Sequence, residues 1–305
     1  MCFDLILTLD EKKIRKGKPI GLPYQGSKKK ISKKIVEIIK QNFGTDKPVY
    51  DVFGGGGAIT AECILNGLKV HYNDLDKSIT DMFQRAISQD RKWIKTLIVS
   101  REEFFAIKEK KEKSVDDELK LLVNSFGNNG KSYLYSSEWS DMKYNLAIEI
   151  IDKHDVFSGY KQTDTYKNAK RPYDEGKLEK HKILQRLQQL EQLQQLEHLQ
   201  RLERLERLQQ LESTNLNYEN FSDVNDSILY LDPPYQGAHN GYKFEFDSSK
   251  FYDWAYKMAE NNIVLISSYD ISDERFEEVY SFDKARSTLQ GGSSNGKCEK
   301  LFMVK

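Results

Sequence analysis

The chain has 305 residues, with 47 Lys and Arg matched by 47 Asp and Glu, so its net charge is zero. That balance argues against a protein that coats nucleic acid by bulk charge. Cysteines at positions 2, 63 and 298 form neither a paired framework nor a metal spacing, and five scattered histidines give no metal site, which together fit a reducing cytosol.

The length suffices for one α/β core and a smaller appendage. Residues 1–20 open with a short apolar run, but Asp4, Asp10 and Glu11 spoil a signal peptide, and no window approaches a membrane span. Residues 1–50 carry twelve Lys and Arg against five Asp and Glu, a local excess able to meet phosphates. The segment Pro23-Tyr24-Gln25-Gly26-Ser27-Lys28 is a basic turn before a helix predicted from Ile31 to Ile39. An apolar strand at 49–53 then runs into Gly54, Gly55, Gly56 and Gly57, followed by helical periodicity through Ala58, Ile59, Ala61, Ile64 and Leu65. Glycines between a strand and a helix let a ligand approach the backbone. The next strand, 69–74, ends in Asp74, placed to accept from ribose hydroxyls. The dinucleotide fingerprint fails, because Ile59 or Thr60 occupies its last glycine position, and no Lys-Ser or Lys-Thr follows as in a phosphate loop. A nucleoside ligand without a pyrophosphate remains, and S-adenosylmethionine fits that description.

Residues 111–183 read as a helical, aromatic-rich insert, with a helix over Asp116–Val123 running into a polar loop, Asn124–Tyr135, that interleaves aromatics with Asn, Gly and Lys. Asn and Lys side chains read base edges, and Tyr and Phe wedge or stack; an ordinary Asn/Gly turn is the alternative. From 184 to 213 leucine recurs at 184, 187, 190, 193, 196, 199, 202, 205, 208 and 211, with Gln, Glu and Arg between. Each three-residue step turns an α-helix by about 300°, so the stripe slips back by about 60° and no zipper seam forms. The residue types are strong helix formers, which predicts a long α-helix with a spiralling stripe serving as a spacer or a self-association surface. A low-complexity expansion without a role is the alternative. Finally, the apolar run Ser227–Leu231 stops in Asp232-Pro233-Pro234-Tyr235. Neither proline donates a backbone N–H and each fixes its own φ, so a carboxylate and a flat ring stand beside bare carbonyls. That corner suits gripping the amino group of a planar base.

Three segments in this order resemble the Dam-type DNA adenine methyltransferases: Tyr24–Lys28, Phe53–Gly57, then an insert, then Asp232–Tyr235. Val264–Tyr269 and Glu299–Phe302 resemble that family's late and closing strands. The resemblance covers roughly residues 21–110 and 214–305, and implies one catalytic domain assembled from both. Its fold would be α/β, a Rossmann-like S-adenosylmethionine-dependent sheet carrying the helical target-recognition insert and the leucine-repeat helix; residues 1–20 and the repeat have no place in the resemblance. It implies transfer of a methyl group to the amino group of an adenine flipped from double-stranded DNA, leaving S-adenosylhomocysteine, with no metal, in the cytoplasm of a prokaryotic or phage-infected cell. Asp232 and the Pro233 carbonyl would accept the amino hydrogens and Tyr235 would stack on the base. Tyr24, Gly26, Lys28, Asp51, Phe53, Gly54 to Gly57, Asp74 and Asp232 would line the cofactor pocket. The insert's Asn128, Asn129, Lys131 and Tyr133 become the expected DNA contacts, with Lys167, Lys170 and Arg171 as weaker phosphate candidates. Three other readings stand beside this one. They are a cytosine amino-methyltransferase, methylation of RNA or a protein amide by a similar grip, and a non-catalytic interaction protein organised by the repeat.

Overall fold

A computed structural model describes residues 6–23, 27–157, 161, 163–174, 193–208, 211–234, 246–282 and 298–305. The chain divides into two units, one of Met1–Gly21, Ser27–Thr80 and Gln210–Lys305, the other of Leu22–Gly26 and Asp81–Gln209.

The first unit is built on a seven-stranded sheet. Its strands are β1 (Val49–Asp51), β2 (Val70–Asn73), β3 (Ser213–Thr214), β4 (Ile228–Leu231), β5 (Ile263–Ser268), β6 (Phe276–Ser281) and β7 (Lys300–Val304), in the order β3-β2-β1-β4-β5-β7-β6. The first five run parallel, and β7 is antiparallel to both β5 and β6. Strand β4 is buried at all four positions, as a parallel strand covered on both faces must be. Its Ile228 and Tyr230 join a core with Ile35, Ile38 and Ile39 of α1 (Ser32–Phe43) and Ile59 and Cys63 of α2 (Ala58–Leu65). Leu229 and Leu231 point the other way, toward a core with Phe251, Trp254 and Met258 of a helix over Ser248–Met258. Helices on both faces make a doubly wound architecture, in keeping with the Rossmann-like α/β sheet that the resemblance implies.

The chain leaves β1 toward β2 and β3 on one side and returns to β4 on the other. The crevice beyond the carboxyl ends of β1 and β4 is therefore the topological switch point, where ligands bind in such sheets. Residues 6–20 are part of this unit. Leu7 lies in the core, and its N–H donates 2.9 Å to the carbonyl of Val279, the residue at which β6 slips register against β7. Arg15 forms a two-bonded pair with the buried Glu62 of α2, at 2.7 and 2.8 Å.

The second unit is helical. It holds α3 (Lys77–Ile87), within which the division falls, then α4 (Arg91–Lys95), α5 (Arg101–Lys108), α6 (Val115–Val123), α7 (Ser137–His154), α8 (Asp164–Asp174) and α9 (Gln194–Glu203); the Ser248–Met258 helix is α10. Ser114 caps α6 in a reciprocal box with Asp117. Phe104 and Ile107 of α5 pack with Leu121, Tyr133, Leu134 and Tyr135. That packing draws residues 81–110 into this unit, upstream of the boundary expected at 110/111.

Of the leucine repeat, 184–192 and 209–210 lie outside the described residues. The helix over its described part is not continuous. α9 ends at Glu203 and a 3₁₀ segment takes over from Arg204 to Leu208. Leu193, Leu196, Leu199, Leu202, Leu205 and Leu208 are all buried. On the α-helix the stripe swings by about 120° from Leu196 to Leu202. The switch to about three residues per turn stops that drift, so Leu205 and Leu208 stay inward. These six leucines are covered by their own unit, with α9 against α4 and α6, and none of them offers a self-association surface. Among the described residues no helix is long and apolar enough to cross a membrane.

The sheet leaves no room at Gly54. A Cβ there would stand 2.3 Å from the Tyr72 ring and 3.1 Å from the Asn73 carbonyl, while Tyr72 is fully buried and its hydroxyl donates 2.8 Å to the Gly55 carbonyl. Gly54→Ala is expected to destabilise the fold by roughly 1–3 kcal/mol, the usual cost of overpacking, read as a lower midpoint in urea unfolding.

Candidate active site

Two carboxylates and a glycine loop stand at the switch point. The loop leaves β1 through Phe53, whose ring packs 5.7 Å from Phe251 and 6.2 Å from Tyr218. Phe53 thus anchors the loop in the lower core. Gly55 and Gly57 take left-handed φ values of 49° and 70°, and Gly57 opens α2, a conformation that glycine adopts without strain. The Gly55 N–H donates 2.8 Å to Asp74, whose other oxygen accepts from the Asp76 N–H at 2.8 Å. Asp74 is thereby fixed against the loop. Burial raises its carboxyl above the ordinary range, and the two backbone donors pull the other way. Asn73, buried behind it, donates to the Val52 and Leu216 carbonyls, both at 2.9 Å, and accepts from the Leu216 N–H at 2.8 Å.

Asp51 was expected in the cofactor pocket, but it lies beneath the loop, 1 % exposed, accepting from the Thr60 N–H at 3.1 Å and its hydroxyl at 2.6 Å. It ties β1 to the first turn of α2. Burial drives its carboxyl up to about 7; Thr60 opposes this, and the charges of Asp232 and Asp74 add to it.

At the end of β4, Asp232 is partly exposed and pairs with the Lys28 ammonium at 2.7 Å. Lys28 also lies 3.6 Å from Glu299, which accepts from the buried Ser267 hydroxyl at 2.8 Å. One cation from near the start of the chain thus sits between two carboxylates from its last third. The phenol of Tyr230, at the end of β4, is held well above its ordinary range by burial and then by Asp232. Pro233 is buried. Tyr24, Gly26 and Tyr235 lie outside the described residues. Glu299 and Ser267 were not expected as site residues; an acid just ahead of a closing strand carries no motif of its own.

The glycine cradle and Asp74 fit a nucleoside-bearing methyl donor. Gly54 has backbone where a Cβ would collide, and Asp74 keeps lone pairs beyond its two backbone donors. The site differs from a phosphate loop in carrying an acid, rather than a lysine, beside the glycines.

In the second unit, Asn124 to Tyr135 folds back on itself. Ser125 bridges Tyr133, the Phe126 N–H donates to the Ser132 carbonyl at 2.9 Å, and the Leu134 N–H to Asn124 at 2.8 Å. Asn129 and Lys131 are exposed at the tip, and Asn128 is half-buried. Tyr133 differs from the expectation of a DNA contact. It is buried, with its hydroxyl donating 2.9 Å to Val99, so its ring supports the loop from within. The exposed ring is Phe126, at 52 %, which the sequence signals only as an aromatic before glycine with no periodic partner. On α8, Lys167 and Lys170 border a surface depression with Lys161 and Tyr166, and Arg171 donates to Asn168 at 2.7 Å.

A family model described as D12 class N6 adenine-specific DNA methyltransferase matches residues 24–287. No curated protein matches the chain.

The buried acid has a pH signature. Between 3.8 and about 7 the folded chain keeps a proton on Asp51 that the unfolded chain has released, so stability falls as pH rises through that window. Asp51→Asn retains an acceptor for Thr60 and cannot ionise. The stability of wild type minus variant should therefore decline from pH 4 to 7, by up to about 1.4 kcal/mol per unit, and level off above. A flat difference in urea titrations would remove the buried-acid assignment.

Proposed function

The chain belongs to the D12 class N6 adenine-specific DNA methyltransferases, and from that premise we propose how its residues divide the work. The enzyme methylates the amino group of adenine in DNA, with S-adenosylmethionine as the family's methyl donor. When bound, that donor supplies a methyl group on a positively charged sulfur.

The observation that carries the residue assignment is the position of Asp232, at the carboxyl end of β4 in the switch-point crevice and partly open to it. Gly54 to Gly57 and Asp74 would hold the donor, with Asp74 accepting from its ribose. Adenine's amino lone pair is conjugated into the ring and is a poor nucleophile. Asp232 accepts one amino hydrogen and the Pro233 carbonyl the other, which localises the lone pair on nitrogen. Asp232 then takes the proton that becomes acidic once nitrogen carries the methyl group. It need not be a strong base, and it pairs with the Lys28 ammonium. Tyr235, two residues beyond Pro233, is the ring proposed to stack on the flipped base.

The tip at Asn129 and Lys131 is the proposed DNA-reading element. Lys131 offers a phosphate contact, Asn129 an amide for a base edge, and Phe126 an exposed ring that enters the stack where a base has left it. Work on DNA supports a cytoplasmic location in a prokaryotic or phage-infected cell.

Asp232→Ala is expected to lower kcat by at least about a hundredfold, as losing one transition-state partner does, without unfolding the chain, because Lys28 retains Glu299. Full turnover by a folded Asp232→Ala protein would end this mechanism. Lys131→Ala should weaken DNA binding evenly across sequences and reduce the slope of log affinity against log salt by about one. A slope unchanged in fluorescence-anisotropy titrations would take Lys131 off the phosphate backbone.

A further inference from the structure

We propose that the leucine-repeat helix positions the DNA-reading loop, through Gln195 and His198 on α9. This rests on the reading of residues 124–133 as a DNA contact.

The repeat's leucines explain why α9 is buried, but two of its polar residues are buried as well, Gln195 completely and His198 nearly so. Both end on the loop. Gln195 Nε2 donates to Asn124 Oδ1 at 2.5 Å and to the Tyr133 hydroxyl at 3.2 Å, and the Gln195 N–H donates to the Tyr135 hydroxyl at 3.4 Å. Asn124 begins the loop and Tyr133 closes it, so one amide holds both stems. His198 Nδ1 lies 2.7 Å from the Val123 carbonyl. A carbonyl only accepts, so Nδ1 carries a hydrogen, and in the neutral ring Nε2 is then an acceptor. The Asn128 amide nitrogen stands 3.3 Å from that Nε2 and also donates 3.2 Å to the Leu122 carbonyl. Asn128 itself has a left-handed φ of 54°, so His198 meets the loop where its backbone turns.

Both groups that Gln195 Nε2 holds have another partner. Asn124 Oδ1 also accepts from the Val99 N–H at 3.3 Å, and the Tyr133 hydroxyl already donates to Val99. Gln195 Oε1 is buried with no partner among the described residues. A buried amide with an unmet oxygen is a burden on stability, and a leucine would pack there more cheaply. A polar group kept at the base of a functional loop, against packing economy, is where local rules give way to function. Gln195 and His198 touch no DNA in this arrangement and act through the loop, as positioning residues.

Gln195→Leu tests this without removing core volume. The expected result is a melting temperature equal to or above wild type and unchanged S-adenosylmethionine affinity. Alongside these, KM for duplex DNA should rise about tenfold, with kcat at saturating DNA little changed and weaker discrimination between target and non-target sequences. His198→Leu should raise KM likewise. His198→Asn, whose amide N–H takes the place of Nδ1–H, should restore it. Wild-type KM and discrimination in both leucine variants overturn the proposal. So does a joint loss of kcat and stability at unchanged KM, which marks a merely structural role. Asn129→Ala and Lys131→Ala are measured alongside. If they too leave KM for DNA unchanged, the reading of the loop fails; if they raise it while Gln195→Leu does not, only the positioning role fails.

Discussion

A single ammonium group gathers the proposed catalytic corner. Lys28 comes from the segment before α1, Asp232 from the end of β4 and Glu299 from the approach to β7, and the three meet within 3.6 Å. The cation between the two carboxylates offsets their mutual repulsion. It also joins three parts of the chain that the sheet alone would leave adjacent but unaligned. The Ser267 hydroxyl fixes the far end of the array by holding Glu299.

Beneath this corner a second acid does different work. Asp51 pairs with Thr60 in a site too buried for an easily held charge, so near neutrality it shares its proton with the solution. Asp232 and Asp51 end neighbouring strands, yet one is partly exposed and paired with a cation and the other is driven toward neutrality by burial. Environment, rather than residue type, separates the carboxylate proposed to react from the structural one.

Those residues that carry a local backbone reason were legible in the sequence. Gly54 must be glycine because Tyr72 fills the adjoining space, Asp74 ends a strand beside the glycine loop, and Asp232 precedes two prolines. Each announces itself within a few positions. Glu299, Ser267, Gln195 and Phe126 have no such signature, because their roles come from contacts across 30 to more than 200 positions, or from exposure alone. Tyr133 shows the converse, since an aromatic in a polar loop reads as a surface residue until α5 and α9 are seen to cover it. The leucine period was plain, but its outcome was not. A strict three-residue repeat is incompatible with a straight α-helical stripe, and the chain resolves the conflict by changing helix type at Arg204.

The first twenty residues carry no motif, yet Leu7 lies against the outermost strand of the sheet. An outer strand presents unpaired N–H and C=O groups, a template on which another chain can add itself. At Val279 β6 carries an extra residue relative to β7, which frees a carbonyl from the ladder, and the Leu7 N–H occupies it. The N-terminal segment is thus a cover against unwanted strand addition as well as a part of the core.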